Sequence, residues 1–100
     1  MDTDITESNI IFIGSKPVIN YVRAISIQLN DSNSKEVIIK SRGKNISKAV
    51  DVAEISKRNL SNLKVHIKNI EISSEEFENN GKKTNISCME ITLAKESKSN

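Results

Sequence analysis

The chain of 100 residues has no tryptophan, one tyrosine and two phenylalanines, so aliphatic side chains must build its core. A single cysteine, Cys88, excludes an intrachain disulfide and a clustered-cysteine zinc site. The one histidine, His66, lies between Val65 and Ile67 and has no companions for a metal site or a base–nucleophile pair. No apolar run approaches the ~20 residues that span a bilayer. The acidic start, MDTDITESN, lacks the basic region and apolar core of a signal peptide. A cytoplasmic protein without metal or cofactor is the expectation, and the three Asn-X-Ser triplets at positions 45, 59 and 85 are then chance matches.

The charge that is present is unevenly placed. Net charge is +2. Residues 1–14 carry three acids and no base, residues 15–48 carry seven bases against Asp31 and Glu36, and the remainder is balanced. A contiguous basic third points to a polyanion as partner, because local potential steers binding even when global charge is small.

Length allows one domain, expected over residues 9–95, with flexible tails at 1–8 and 96–100. Ile10–Ile13, stopped by Gly14, reads as a short strand buried on both faces. Pro17 suits a first helical turn, with Ser15 as a nearby cap. Val18, Val22, Ile25 and Leu29 then share one helical face, and the polar run 30–33 ends that helix. Val37–Ile39 mark a second inner strand, which delivers residues 40–44 into a loop. A second helix is expected from about 45 to 60, with Ile46, Val50, Ala53 and Leu60 on one face and Val52 and Ile55 on a second apolar edge.

From Val65 onward the period becomes two. Its phase shifts between Ile67 and Ile70, and again between Cys88 and Met89, as a bulge, a strong twist or a strand with both faces partly covered would produce. Asn79-Asn80-Gly81 is a strong turn signal. The order is β-α-β-α-β-β: an α/β (α+β two-layer) fold with a mixed four-stranded sheet and both helices on one face.

Parallel first and second strands would bring two basic segments to one rim. One holds Lys16, with Asn20 and Tyr21 a turn further on. The other holds Lys40, Arg42, Lys44, Asn45 and Lys48. Helix starts add backbone N–H donors there, so phosphate is the matching ligand. Lys82 and Lys83 at the hairpin tip form a third basic piece, weakened by Glu75, Glu76 and Glu78. Arg42-Gly43-Lys44 lacks the spaced glycines of a nucleotide-binding loop, and no group of residues satisfies the requirements of an enzyme. The nearest competing reading is an RNA-binding or RNA-protecting protein using the same basic patch, and a protein-interaction module using the Val52/Ile55 edge is a third, different class.

Residues 11–22, Ile-Phe-Ile-Gly-Ser-Lys-Pro-Val-Ile-Asn-Tyr-Val, and 37–51, running from Val37 through Arg42-Gly43-Lys44-Asn45 to Asp51, closely resemble the two motifs of the archaeal Alba family. The likeness extends from about Asn9 to Lys95. It implies a homodimer that coats or bridges double-stranded DNA, compacts the chromosome and also binds RNA, on a fold similar to the carboxyl-terminal domain of bacterial translation initiation factor three. It places Lys16, Arg42, Lys44, Asn45 and Lys48 at central binding positions, and the 75–83 hairpin in the role of a minor-groove arm. Two departures stand out. Ser15 occupies the position of the first of two motif lysines, the one acetylated in some members. Leu60 stands where a phenylalanine often mediates contacts between dimers, so weaker cooperative coating is implied. Val52, Ile55 and Leu60 are the residues expected at dimer or dimer–dimer contacts.

Overall fold

Two isoleucines and a phenylalanine, Ile10–Phe12, form the first strand, β1, and hydrogen-bond in parallel to β2, Glu36–Arg42. The helix between them, α1, spans Val18–Asn30 and buries Tyr21, Val22, Ile25 and Leu29. Past a single 3₁₀ turn at Gly43–Asn45, α2 spans Ile46–Asn59. A second such turn at Ser61–Leu63 leads into β3, His66–Asn79, and then β4, Lys82–Ala94. The computed structural model describes residues 9–96, so the tail expected at 1–8 lies outside the described residues, as do residues 97–100. Glu96, expected in the C-terminal tail, is tied back by an N–H bond to the Leu63 carbonyl.

The sheet runs β1-β2-β4-β3, with only the β1–β2 pair parallel. Val37, Ile39, Ile91 and Leu93 line its helix side and meet Ile25, Leu29, Ala49 and Val52 in an aliphatic core. The expected bulge is present in β3, where pairing shifts between Ile67 and Asn69. It keeps Ile67, Ile70 and Ile72 on one side. In β4 the pairing is continuous, and Ile86 and Cys88 are half-buried, so the change of phase there reflects a strand partly covered on both faces. Ile86 and Cys88 belong to the open side, and Met89, Ile91 and Leu93 to the helix side. Within its partners' reach β2 ends at Arg42, opposite Cys88, while β3 and β4 continue as a two-stranded arm. At ~3.4 Å per residue, six pairs carry that arm roughly 20 Å beyond the sheet. Asn80 and Gly81, both at positive φ, close it as a two-residue turn.

Several local expectations are corrected. The first strand is not buried on both faces: it is an edge strand, no layer among the described residues covers its open side, and Phe12 is 70% exposed. Ser15 does not cap α1. Pro17, extended at ψ 154, is the N-cap residue, and among the described residues no side-chain cap bond is made at the helix start. Lys40, Ser41 and Arg42 are strand rather than loop. In α2 the buried set is Ala49, Val52, Ala53 and Ser56, while Val50 faces outward. Val52 is therefore not an apolar edge available to a partner; its exposure is 0%, against the protein's own sheet. The Ser56 hydroxyl is buried without a hydrogen-bond partner among the described residues, an arrangement that costs about 1–3 kcal/mol.

Candidate nucleic-acid interface

Because β1 and β2 are parallel, the chain leaves both at the same end, and the two basic segments meet there. The contact is explicit. Lys48, in the first turn of α2, donates from Nζ to the carbonyl oxygens of Gly14 (2.7 Å) and Lys16 (2.8 Å). The Tyr21 hydroxyl accepts from the backbone N–H groups of the same two residues, at 2.9 and 3.1 Å. Lys48 Nζ also lies 5.9 Å from the centroid of the Tyr21 ring. The connection between β1 and α1 is thus held from beneath by a cation and a phenol, and the Lys16 side chain projects outward from it, exposed.

The neighbouring turn is shaped by Gly43, at φ +57 in the left-handed region. A Cβ there would fall 2.9 Å from Ile86 Cδ1, so both backbone and space favour glycine. This turn places Lys44, exposed, immediately before α2. Among the described residues, neither Lys16 nor Lys44 meets a carboxylate within ion-pair distance. Asn45, half-buried, is the N-cap residue of α2 but makes no side-chain cap bond. Asn20 is exposed in the first turn of α1.

The other expected cations are differently employed. Lys40 and Arg42 point to the open side of the sheet, where Lys40 pairs with Glu90 at 3.4 Å and Arg42 with Glu75 at 2.7 Å. Tyr21 is buried under its loop and offers no stacking surface. Lys82 and Lys83 are exposed on the arm, with Glu78 across the ladder from Lys83. Leu60 is 6% exposed and belongs to the core, and Ile55 is half-buried against it. Asp51 and Glu54 are exposed on α2, where Glu54 pairs with Lys57. His66 is exposed at the start of β3, its ring nitrogen 3.3 Å from the Lys64 carbonyl. Among the described residues no cluster of three potential metal ligands exists, and no helix is long and apolar enough to cross a membrane. Sequence reasoning missed the two carboxylates, because Glu75 and Glu90 reach the basic strand only through the antiparallel register.

The family model named Alba matches residues 9–74, which include both turns of this rim. The chain belongs to the Alba family. It is 46% identical over 89 residues to the DNA/RNA-binding protein Alba of Methanothrix thermoacetophila, covering 89% of this chain and 98% of that one. It is 50% identical over 88 residues to DNA/RNA-binding protein Alba 1 of Archaeoglobus fulgidus, covering 87% and 96%. The solved structure of Alba from Thermoplasma volcanium superposes with a TM-score of 0.78 at 44% identity, covering 87% of this chain and all of that one. Relative to the Alba motif, Ser15 is exposed on the rim and supplies no charge there.

Proposed function

We propose that this Alba protein binds double-stranded DNA through its phosphates, without base preference, and acts as a homodimer in chromosome architecture. The observation that carries the reading is the rim itself. Lys16 and Lys44, separated in sequence, stand on adjoining turns at one end of the sheet, and the first of these turns is held rigid by Lys48 and Tyr21. Such groups fix a nucleic-acid backbone in place and carry no sequence information. The two archaeal relatives described above are named DNA/RNA-binding proteins, which supports the same ligand class. The hairpin arm, roughly 20 Å long, has the dimensions to follow a groove away from the rim.

Homodimerisation is supported by what the helices leave bare. On the helix side of β3, Ile70 and Ile72 are 50% and 73% exposed, and Val50 of α2 is also exposed. These large aliphatic side chains lie outside the protomer's own core, where a second copy would remove them from water. Sedimentation at micromolar concentration is expected to show a dimer, and a monomer alone would contradict this part of the reading. A dimer carries two rims. If it neutralises about 6–10 phosphates, affinity for duplex DNA falls ~10³–10⁵-fold between 50 and 200 mM salt. Titrating duplex DNA and structured RNA of matched length across that range is the test. Dependence on one DNA sequence would defeat the reading, and a large preference for RNA would make RNA the principal ligand.

A further inference from the structure

Both phenylalanines of the chain lie on the side of the sheet that no helix among the described residues covers. Phe12 is opposite Lys40 in the ladder, Lys40 is opposite Glu90, and Phe77 stands on the same side further out along the arm. Around Phe12 the open side is concave, forming a cleft of about 410 Å³ lined in part by Lys40, Arg42, Ser73, Glu75 and Glu90. The Lys40 ammonium lies 5.9 Å from the centre of the Phe12 ring. Because Lys40 and Arg42 are each matched by a carboxylate, the cleft is close to neutral and does not attract phosphate as the rim does. It offers an exposed aromatic face, flanked by cationic donors and carboxylate acceptors.

A nucleobase has the complementary chemistry: two apolar π faces, and an edge that carries both donors and acceptors. Stacking on an exposed aromatic side chain of a sheet is how unpaired bases are commonly held. The position is also right, because β2 runs from the cleft directly into the Gly43–Asn45 turn of the basic rim. We propose that the open side of the sheet is a second binding site, in which an unpaired nucleobase of a strand held at the rim stacks on Phe12. This inference rests on the nucleic-acid reading above and adds single-stranded segments to its ligands. The carboxylates of Glu75 and Glu90 would accept from exocyclic amino groups, while paired bases within a duplex cannot reach the cleft.

Phe12 is exposed enough for its replacement to leave the fold intact, which makes the test direct. Binding of a labelled 12-nucleotide single strand and a 12-base-pair duplex would be compared at one ionic strength for the wild type, Phe12→Ala and Phe12→Tyr. Phe12→Ala is expected to weaken single-strand binding roughly 5- to 150-fold, as the loss of one stacked base does, with duplex affinity changed less than about 2-fold. Phe12→Tyr should retain wild-type affinity for both. Equal losses on both ligands, or no loss on the single strand, would overturn the site while leaving duplex binding at the rim standing. Failure of the wild type to bind either ligand at low salt would remove the nucleic-acid reading and this site with it.

Discussion

Replacing Lys16 and Lys44 together by alanine is expected to weaken binding to unrelated duplexes by a similar, large factor. Each phosphate contact contributes about 0.9 to the slope of log affinity against log salt, so one contact is worth about 0.9 log unit at 0.1 M relative to 1 M. Two contacts then cost about 10²-fold for each protomer engaged, roughly 10³–10⁴-fold when both rims of a dimer are bound, and the slope falls by nearly 2 per protomer. Both side chains are exposed, so thermal stability should be almost unchanged. Arg42→Ala is the useful contrast. Its guanidinium already holds Glu75 at 2.7 Å, and a phosphate must compete with that carboxylate. The loss should therefore be smaller than for either lysine. A salt titration of the double variant checks the expectation, and an unaltered slope would show that the lysines do not meet phosphate.

How much of this was legible in the sequence depended on whether a feature was local. The Alba motifs, the two strands flanking α1 and the Asn80-Gly81 turn are written in consecutive residues, and each appears where the pattern put it. The parallel pairing of β1 and β2 follows from general topology, and it brings the Lys16 and Lys44 turns together as expected. The errors occur where burial depends on the opposite layer. In α2 the hydropathy of Val50 suggested an inward position, yet Ala49, Ser56 and Val52 face the sheet. Small side chains there let the helix pack closely, and periodicity alone gives little weight to a serine. Phe12 misled in the same way: an apolar run looks identical whether its strand is central or at an edge.

The least legible feature was the electrostatic partnership across the open side of the sheet. Glu75 and Arg42 are 33 residues apart and meet only because β4 lies between β2 and β3. That pairing divides the expected basic patch into two chemically different regions. Lys16 and Lys44 remain on a rim suited to phosphate, while Lys40 and Arg42 belong to a neutral face suited to something less charged. Composition summed over residues 15–48 could not separate these, since it counts cations without the carboxylates the fold brings to them.

Lys48 is where the structure assigns a different task to a residue expected to hold phosphate. Its ammonium is occupied by the carbonyls of Gly14 and Lys16, and such charge-assisted bonds are stronger than neutral ones. Lys48→Met is expected to cost about 2 kcal/mol of stability, with allowance for the partial exposure of the group, and to loosen the turn that presents Lys16. Loss of binding should therefore operate through Lys16. In a double-mutant cycle with Lys16→Ala, Lys48→Met should weaken duplex binding by about 5- to 10-fold on its own but by less than about 2-fold once Lys16 is absent. The salt slope should fall about as far in Lys48→Met as in Lys16→Ala, and no further in the combination. A lysine that touched phosphate itself would behave otherwise: the two losses would multiply and the slope would drop by about 0.9 for each residue removed.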